Sequence, residues 1–153
     1  MTATELLWSL GIELSDALRN AKLPTEYAKK AEELRGINVY QQYIPADLFA
    51  NDNYYPCVVA EWVGTEDRIS GGCTLNVALS IGVSAKEEDG WQDAFHIMDL
   101  IRQRLLTKRV IGKKFRLEGE VVWQPAEQQP TPFFFIYSEL KFQALGLVRE
   151  GFE

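Results

Sequence analysis

The sequence predicts an α+β fold: an antiparallel or mixed β-sheet of about four to five strands packed by helices, in one domain over residues 1–153. Three observations lead there. Residues Cys73 to Val83 alternate apolar and small polar side chains, the pattern of a strand that buries one face. Two segments, one N-terminal and one after Gly90, repeat apolar residues at helical spacing. No repeat or linker divides the chain.

Each element follows in order. From Thr2 to about Ala21, the residues Ala3, Leu6, Leu7, Leu10, Leu14, Ala17, Leu18 and Ala21 share one helical face, with Trp8 and Ile12 on the far side. Thr2 and Glu5 have the spacing of a capping box. A second helix is expected from Pro24 to Arg35, closed by Gly36, and Ile37 to Ile44 reads as extended. Pro45 to Pro56 is a polar-aromatic loop. Cys57 to Val63 is apolar on both faces, as a central strand would be, and Gly64 to Gly72 (GTEDRISGG) reads as a hairpin loop before the Cys73–Val83 strand. The helix from Trp91 to about Thr107 carries a stripe of Trp91, Ala94, Phe95, Met98, Ile101 and Leu105, widened by Ile97 and Leu106. Phe115 to Trp123 alternates until Gln124-Pro125, and a last strand runs from Phe133 to Ala144. In that strand Phe134, Ile136, Leu140 and Phe142 form one face, with Phe133, Phe135 and Tyr137 on the other.

Composition narrows the function. Sixteen basic against 22 acidic residues give a net charge of −6, the reverse of what a sequence-independent nucleic-acid binder needs. No apolar run approaches the ~20 residues of a membrane span, and the acidic N-terminal stretch lacks the basic start of a signal peptide. An intracellular protein is the expectation. Cys57 and Cys73, with a single histidine, cannot close a zinc site or build a disulfide framework.

Catalytic constellations are not evident. His96 falls on the polar face of its helix beside Gln92 and Gln103 and reads as solvated. Neither cysteine has a basic neighbour in sequence, so both read as buried, reduced thiols. Glu66-Asp67 and Glu87-Glu88-Asp89 fit no calcium-loop spacing and read as solvated turns. The expectation is a non-enzyme without metal or cofactor.

Charge is distributed unevenly. Glu87, Glu88, Asp89, Asp93 and Asp99 precede a run containing Arg102, Arg104, Lys108, Arg109, Lys113, Lys114 and Arg116 with no acid. The helix dipole accounts for part of this. Lys113 and Lys114 lie past the helix end, which raises a second reading: surfaces of opposite sign that meet between copies of the chain. Candidate interface residues are therefore Glu87, Glu88, Asp89, Arg102, Arg109, Lys113 and Lys114, with Trp8, Phe133 and Phe135 as apolar surplus.

YPCVVAEWVGTEDR and GGCTLNVALSIGV form one expected hairpin, DGWQDAFHIMDLIRQRLL a helix, and FRLEGEVVWQPAEQQPTPFFFIYSELKFQA a final hairpin. After a short early helix pair, this succession over residues 37–145 resembles the tail terminator, or tail completion, proteins of long-tailed bacteriophages and prophages. Gly90-Trp91-Gln92-Asp93, opening a helix after an acidic turn, is the most suggestive stretch. The resemblance implies a structural virion protein that forms a homo-oligomeric ring, commonly hexameric, capping the tail tube. Its partners would be its own copies, the tail tube protein and a head-completion or neck protein, with DNA passing through the lumen unbound and no membrane contact. Its place would be the head-proximal end of the tail in the virion, and the host cytoplasm during assembly. The family has no catalytic motif to carry over, and the Pro45–Pro56 loop and two-helix N-terminus are long for it. Two readings stay open beside it: a small protein- or ligand-binding module using the small-residue face of Cys73–Val83, and a hydrolase with an unrecognised site.

Overall fold

The computed structural model describes residues 2–21, 23, 37–44, 55–84, 91–127, 129 and 133–144. The expected helix Pro24–Arg35, most of the Pro45–Pro56 loop and the Glu87–Asp89 turn lie outside them.

Helix α1 runs over Ala3–Leu18. Thr2 caps it, its hydroxyl accepting from the Glu5 backbone N–H at 3.2 Å, which satisfies one donor the helix start leaves open. Leu6, Leu7, Leu10, Leu14 and Leu18 are buried, as their spacing predicts. Then follow β1 (Asn38–Gln41), β2 (Cys57–Asp67), β3 (Cys73–Ser84), α2 (Trp91–Thr107), β4 (Val110–Ile111), β5 (Phe115–Glu118), β6 (Trp123–Pro125) and β7 (Phe133–Ala144).

The expected four to five strands are corrected. Among the described residues seven strands form one curled, mixed sheet in the order β1-β2-β3-β7-β5-β4, with β6 also on β7. The pairing of β1 with β2 is parallel, and the other pairings are antiparallel. The extra strands have local causes. The extended Ile37–Ile44 segment supplies the four residues of β1. The expected Phe115–Trp123 strand splits at Gly119, whose φ of 72° turns the chain out of the ladder, so β5 and β6 each pair with a different part of β7. Val110–Ile111 adds a two-residue edge through a tight turn in which Gly112 and Lys113 hold φ of 57° and 62°. Strand β2 also outlasts its expected end at Val63 by four residues, after a bulge between Trp62 and Gly64.

Both helices lie on the face formed by Val58 and Ala60 of β2, Leu75, Val77, Leu79, Ile81 and Val83 of β3, and Ile136, Leu140 and Phe142 of β7. The helices cover it with the leucines of α1 and with Ala94, Ile97, Ile101 and Leu105 of α2. The α2 stripe is narrower than the sequence suggests: Trp91, Phe95 and Leu106 stand exposed at its margins. On the opposite sheet face Tyr55 stacks on Phe133 at 4.6 Å and tilts against Phe135, closing over Gly82.

Candidate assembly surface

The basic run after residue 101 has two fates. Arg104 and Lys108 turn inward and clamp α2 to α1: Arg104 lies 3.1 Å from the Glu13 carboxylate and 2.8 Å from that of Asp16, and Lys108 also binds Glu13. Glu13 is 8% exposed. Burial pushes its carboxyl up, but the hydrogen bonds from Lys108 and Arg104 together outweigh that and hold it below the ordinary 4.5. Lys114 reaches back to Glu5 of α1 at 2.6 Å, and that hydrogen bond lowers the Glu5 pKa. Lys114, expected at an interface, thus has an intramolecular partner.

Arg102, Arg109 and Lys113 point outward. Arg102 borders the apolar side chains Phe95 and Met98 of α2. It forms an exposed i,i+3 pair with Asp99 at 3.1 Å, an arrangement worth about 0–1 kcal/mol. Lys113 occupies the turn between β4 and β5. Among the expected apolar interface residues, Trp8 is 63% exposed, one turn from Ile12 at 69%. Phe133 and Phe135 instead pack into the cluster with Tyr55.

Two further features stand out: a trough that sequence reasoning missed, and an arm of which the sequence suggested only the Gly64–Gly72 tip as a contact surface. One is a trough between α2 and the β5–β6 segment. Its apolar half, about 500 Å³, has Phe95 and Met98 of α2 on one wall, Trp123 and Pro125 on the other, and Phe134 and Ile136 as floor. Arg102 and Trp123 also line the adjoining half, about 490 Å³, where Arg109, Leu106 and Glu118 stand. The sequence signal was present: an apolar stripe on α2 wider than one helix face buries. The other feature is the far part of the β2–β3 hairpin. Beyond Ala60 every β2 residue except the half-buried Gly64 is exposed, including Trp62 at 40% and Val63 at 50%. Strand β1 pairs only with Cys57–Ala60, so Glu61–Asp67 is a sheet edge among the described residues. This arm is held in shape. The Trp62 indole N–H donates to Thr65 Oγ1 at 2.9 Å, its backbone N–H donates to Gln42 Oε1 at 2.9 Å, and Arg68 donates to Thr74 at 2.6 Å. Of the expected central strand Cys57–Val63, Cys57–Ala60 is central, between β1 and β3, whereas Trp62 and Val63 belong to an open edge.

The residues weighed for chemistry are scattered. Cys57 pairs in register with Gly82 and Cys73 with Asp67, at opposite ends of the hairpin, and both thiols are buried and free. Burial pushes Cys57 up to about 12 and also raises Cys73. His96 is half-buried on α2. Among the described residues no three of His, Cys, Asp and Glu gather as a metal set, and no helix is long and apolar enough to cross a membrane.

No family model and no curated protein matches the sequence. A solved structure titled as the virion of a native gene transfer agent particle is similar at a TM-score of 0.44 and 16% identity, over 90% of this chain and 93% of that one.

Proposed function

From the residues of this chain we propose a structural assembly subunit: a tail terminator or tail completion protein, without enzymatic activity. Its copies form a ring, six by the resemblance, that caps a phage-type tail tube and meets a head-completion protein. The observation that carries this reading is the pair of open apolar surfaces on one sheet, the free β2 edge of the β2–β3 arm and the trough beside α2 floored by β7. A ring above a dimer needs two different surfaces on each subunit, because its contacts are heterologous. The helices that brace this frame are tied to each other by Glu13, Arg104 and Lys108, so the frame stays rigid while the flanks stay available. A net charge of −6 suits a lumen that lets DNA pass without holding it. The reading gives no catalytic role to His96, Cys57 or Cys73.

The test is tube growth. Tail tube subunits polymerising in the presence of this chain should stop at shorter lengths, measured by electron microscopy. Tubes that grow unchanged, with the chain left in solution, contradict the reading.

A further inference from the structure

The proposed ring requires a self-contact, and the arm and trough have the properties of its two halves. The trough is an open apolar recess rather than an enclosed ligand cavity. Phe95, on its rim, is 43% exposed and touches Trp91 edge-on at 5.3 Å and Phe134 at 6.2 Å. Its charged lining is Arg102, paired with the exposed Asp99, Arg109 and one acid, Glu118. The arm presents the opposite chemistry: Trp62 and Val63 as apolar contacts, with Glu61, Glu66 and Asp67 around them and a single base, Arg68, engaged with Thr74. Apolar side chains with three acids to one base match an apolar recess with two arginines to one glutamate, an opposite excess that favours a second copy of this chain as the occupant.

Geometry excludes the intramolecular version. The arm grows from β2, and two strands separate it from β6. Trp62 lies opposite Val77, which pairs with Leu140 of β7, whereas Phe134 lies opposite Val83. Leu140 and Phe134 are six residues apart, about 20 Å along the strand. The arm is part of a continuous ladder and cannot fold back across its own sheet.

We infer that the β2–β3 arm of one copy seats Trp62 and Val63 in the trough between α2 and β6–β7 of the next copy, making the head-to-tail contact of the assembly. This rests on the assembly reading but is narrower, and its test is separate from tube growth. Two monomer-forming variants are needed: Val63→Asp on the arm and Phe95→Asp in the trough. Both positions are exposed, so both variants should keep the wild-type melting temperature within a few degrees. Sedimentation velocity at low salt should show wild type as species larger than dimer, each variant alone as monomer, and an equimolar mixture as a 1:1 heterodimer that grows no further. The heterodimer forms because each variant keeps one intact half. A second readout does not rely on disruption: Val63→Cys mixed with Phe95→Cys should give a dimer with a short bis-maleimide, since Cys57 and Cys73 are buried. Assembly of either Asp variant at the wild-type level overturns the contact and leaves ring formation through other surfaces intact. A mixture that stays monomeric, or a wild type that stays monomeric at every concentration, overturns the contact as well, while tube capping is decided by its own experiment.

Discussion

Neighbouring residues of β3 face opposite environments. Val77 is fully buried between the helices and the sheet. An aspartate there would be an unpaired charge in the core, costing about 4 kcal/mol or more, which is most of a small domain's stability. Asn76 points to the other face, where its register partner on β7 is Lys141 and its Oδ1 has no hydrogen-bond partner. Because that oxygen is buried, Asn76→Asp carries a desolvation cost that the lysine opposite offsets in part, and it should cost less than Val77→Asp. Thermal melts of the two variants should therefore differ, and similar losses would mean the two faces are exchanged. Gly82 is a second single-residue constraint. A Cβ at this position would come within 2.9 Å of both the Tyr55 and Phe135 rings, so Gly82→Val should force the cluster apart and cost about 1–3 kcal/mol. At Lys113 the backbone itself is the constraint: φ of 62° is unfavourable for a side-chain-bearing residue. Lys113→Gly should raise the melting point, by about 1 kcal/mol in stability, which a denaturant titration would measure.

Among the elements, the two helices are joined by a charge cluster as well as by buried leucines. Glu13, Asp16 and Glu5 all have lowered pKa values in the folded chain, so each binds its proton less readily than when unfolded. Their contribution is fully present above the ordinary 4.5 of a glutamate and is lost as pH falls through the lowered folded value. Glu13→Gln should cost about 1–2 kcal/mol near neutral pH, since Lys108 is half exposed and screened. Melting temperatures of wild type and variant should converge once the pH has fallen below the lowered folded value of Glu13. A gap that persists in acid would assign the loss to packing.

This cluster also marks what the sequence could reveal. The faces of α1, β3 and β7 were legible, because period 3.6 and period 2 write burial directly into residue order. The acids of α1 and the bases of α2 were legible as charges but not as partners, since Glu13 and Arg104 are 91 positions apart and no local rule joins them. For the same reason Lys114 suggested a free interface cation, whereas its partner is Glu5. Short strands escaped too: two residues of β4 and three of β6 carry no period, and only their pairing with β5 and β7 defines them. The trough was hidden in a stripe that looked like core, because periodicity alone cannot say where a helix's cover ends.

Among the described residues the seven strands make one frame with helices on one face, and exposed apolar side chains stand on both flanks, on the arm and beside the trough, as well as at Trp8 and Ile12 of α1. Monomeric proteins seldom leave such surface in patches without a use for it. An exposed arm, a trough of matching chemistry and an internally neutralised helix pair together describe a subunit built to be joined to copies of itself. Salt should weaken that joining, because the flanking charges are exposed and are screened beyond about 8 Å at physiological ionic strength. The central claim is tested most directly by the stoichiometry and position of this chain on a tail tube, read from electron microscopy of the mixed complex. The account predicts a closed ring of fixed copy number at one end of each tube and none along its length. Single copies scattered along the tube, or rings at neither end, would contradict it.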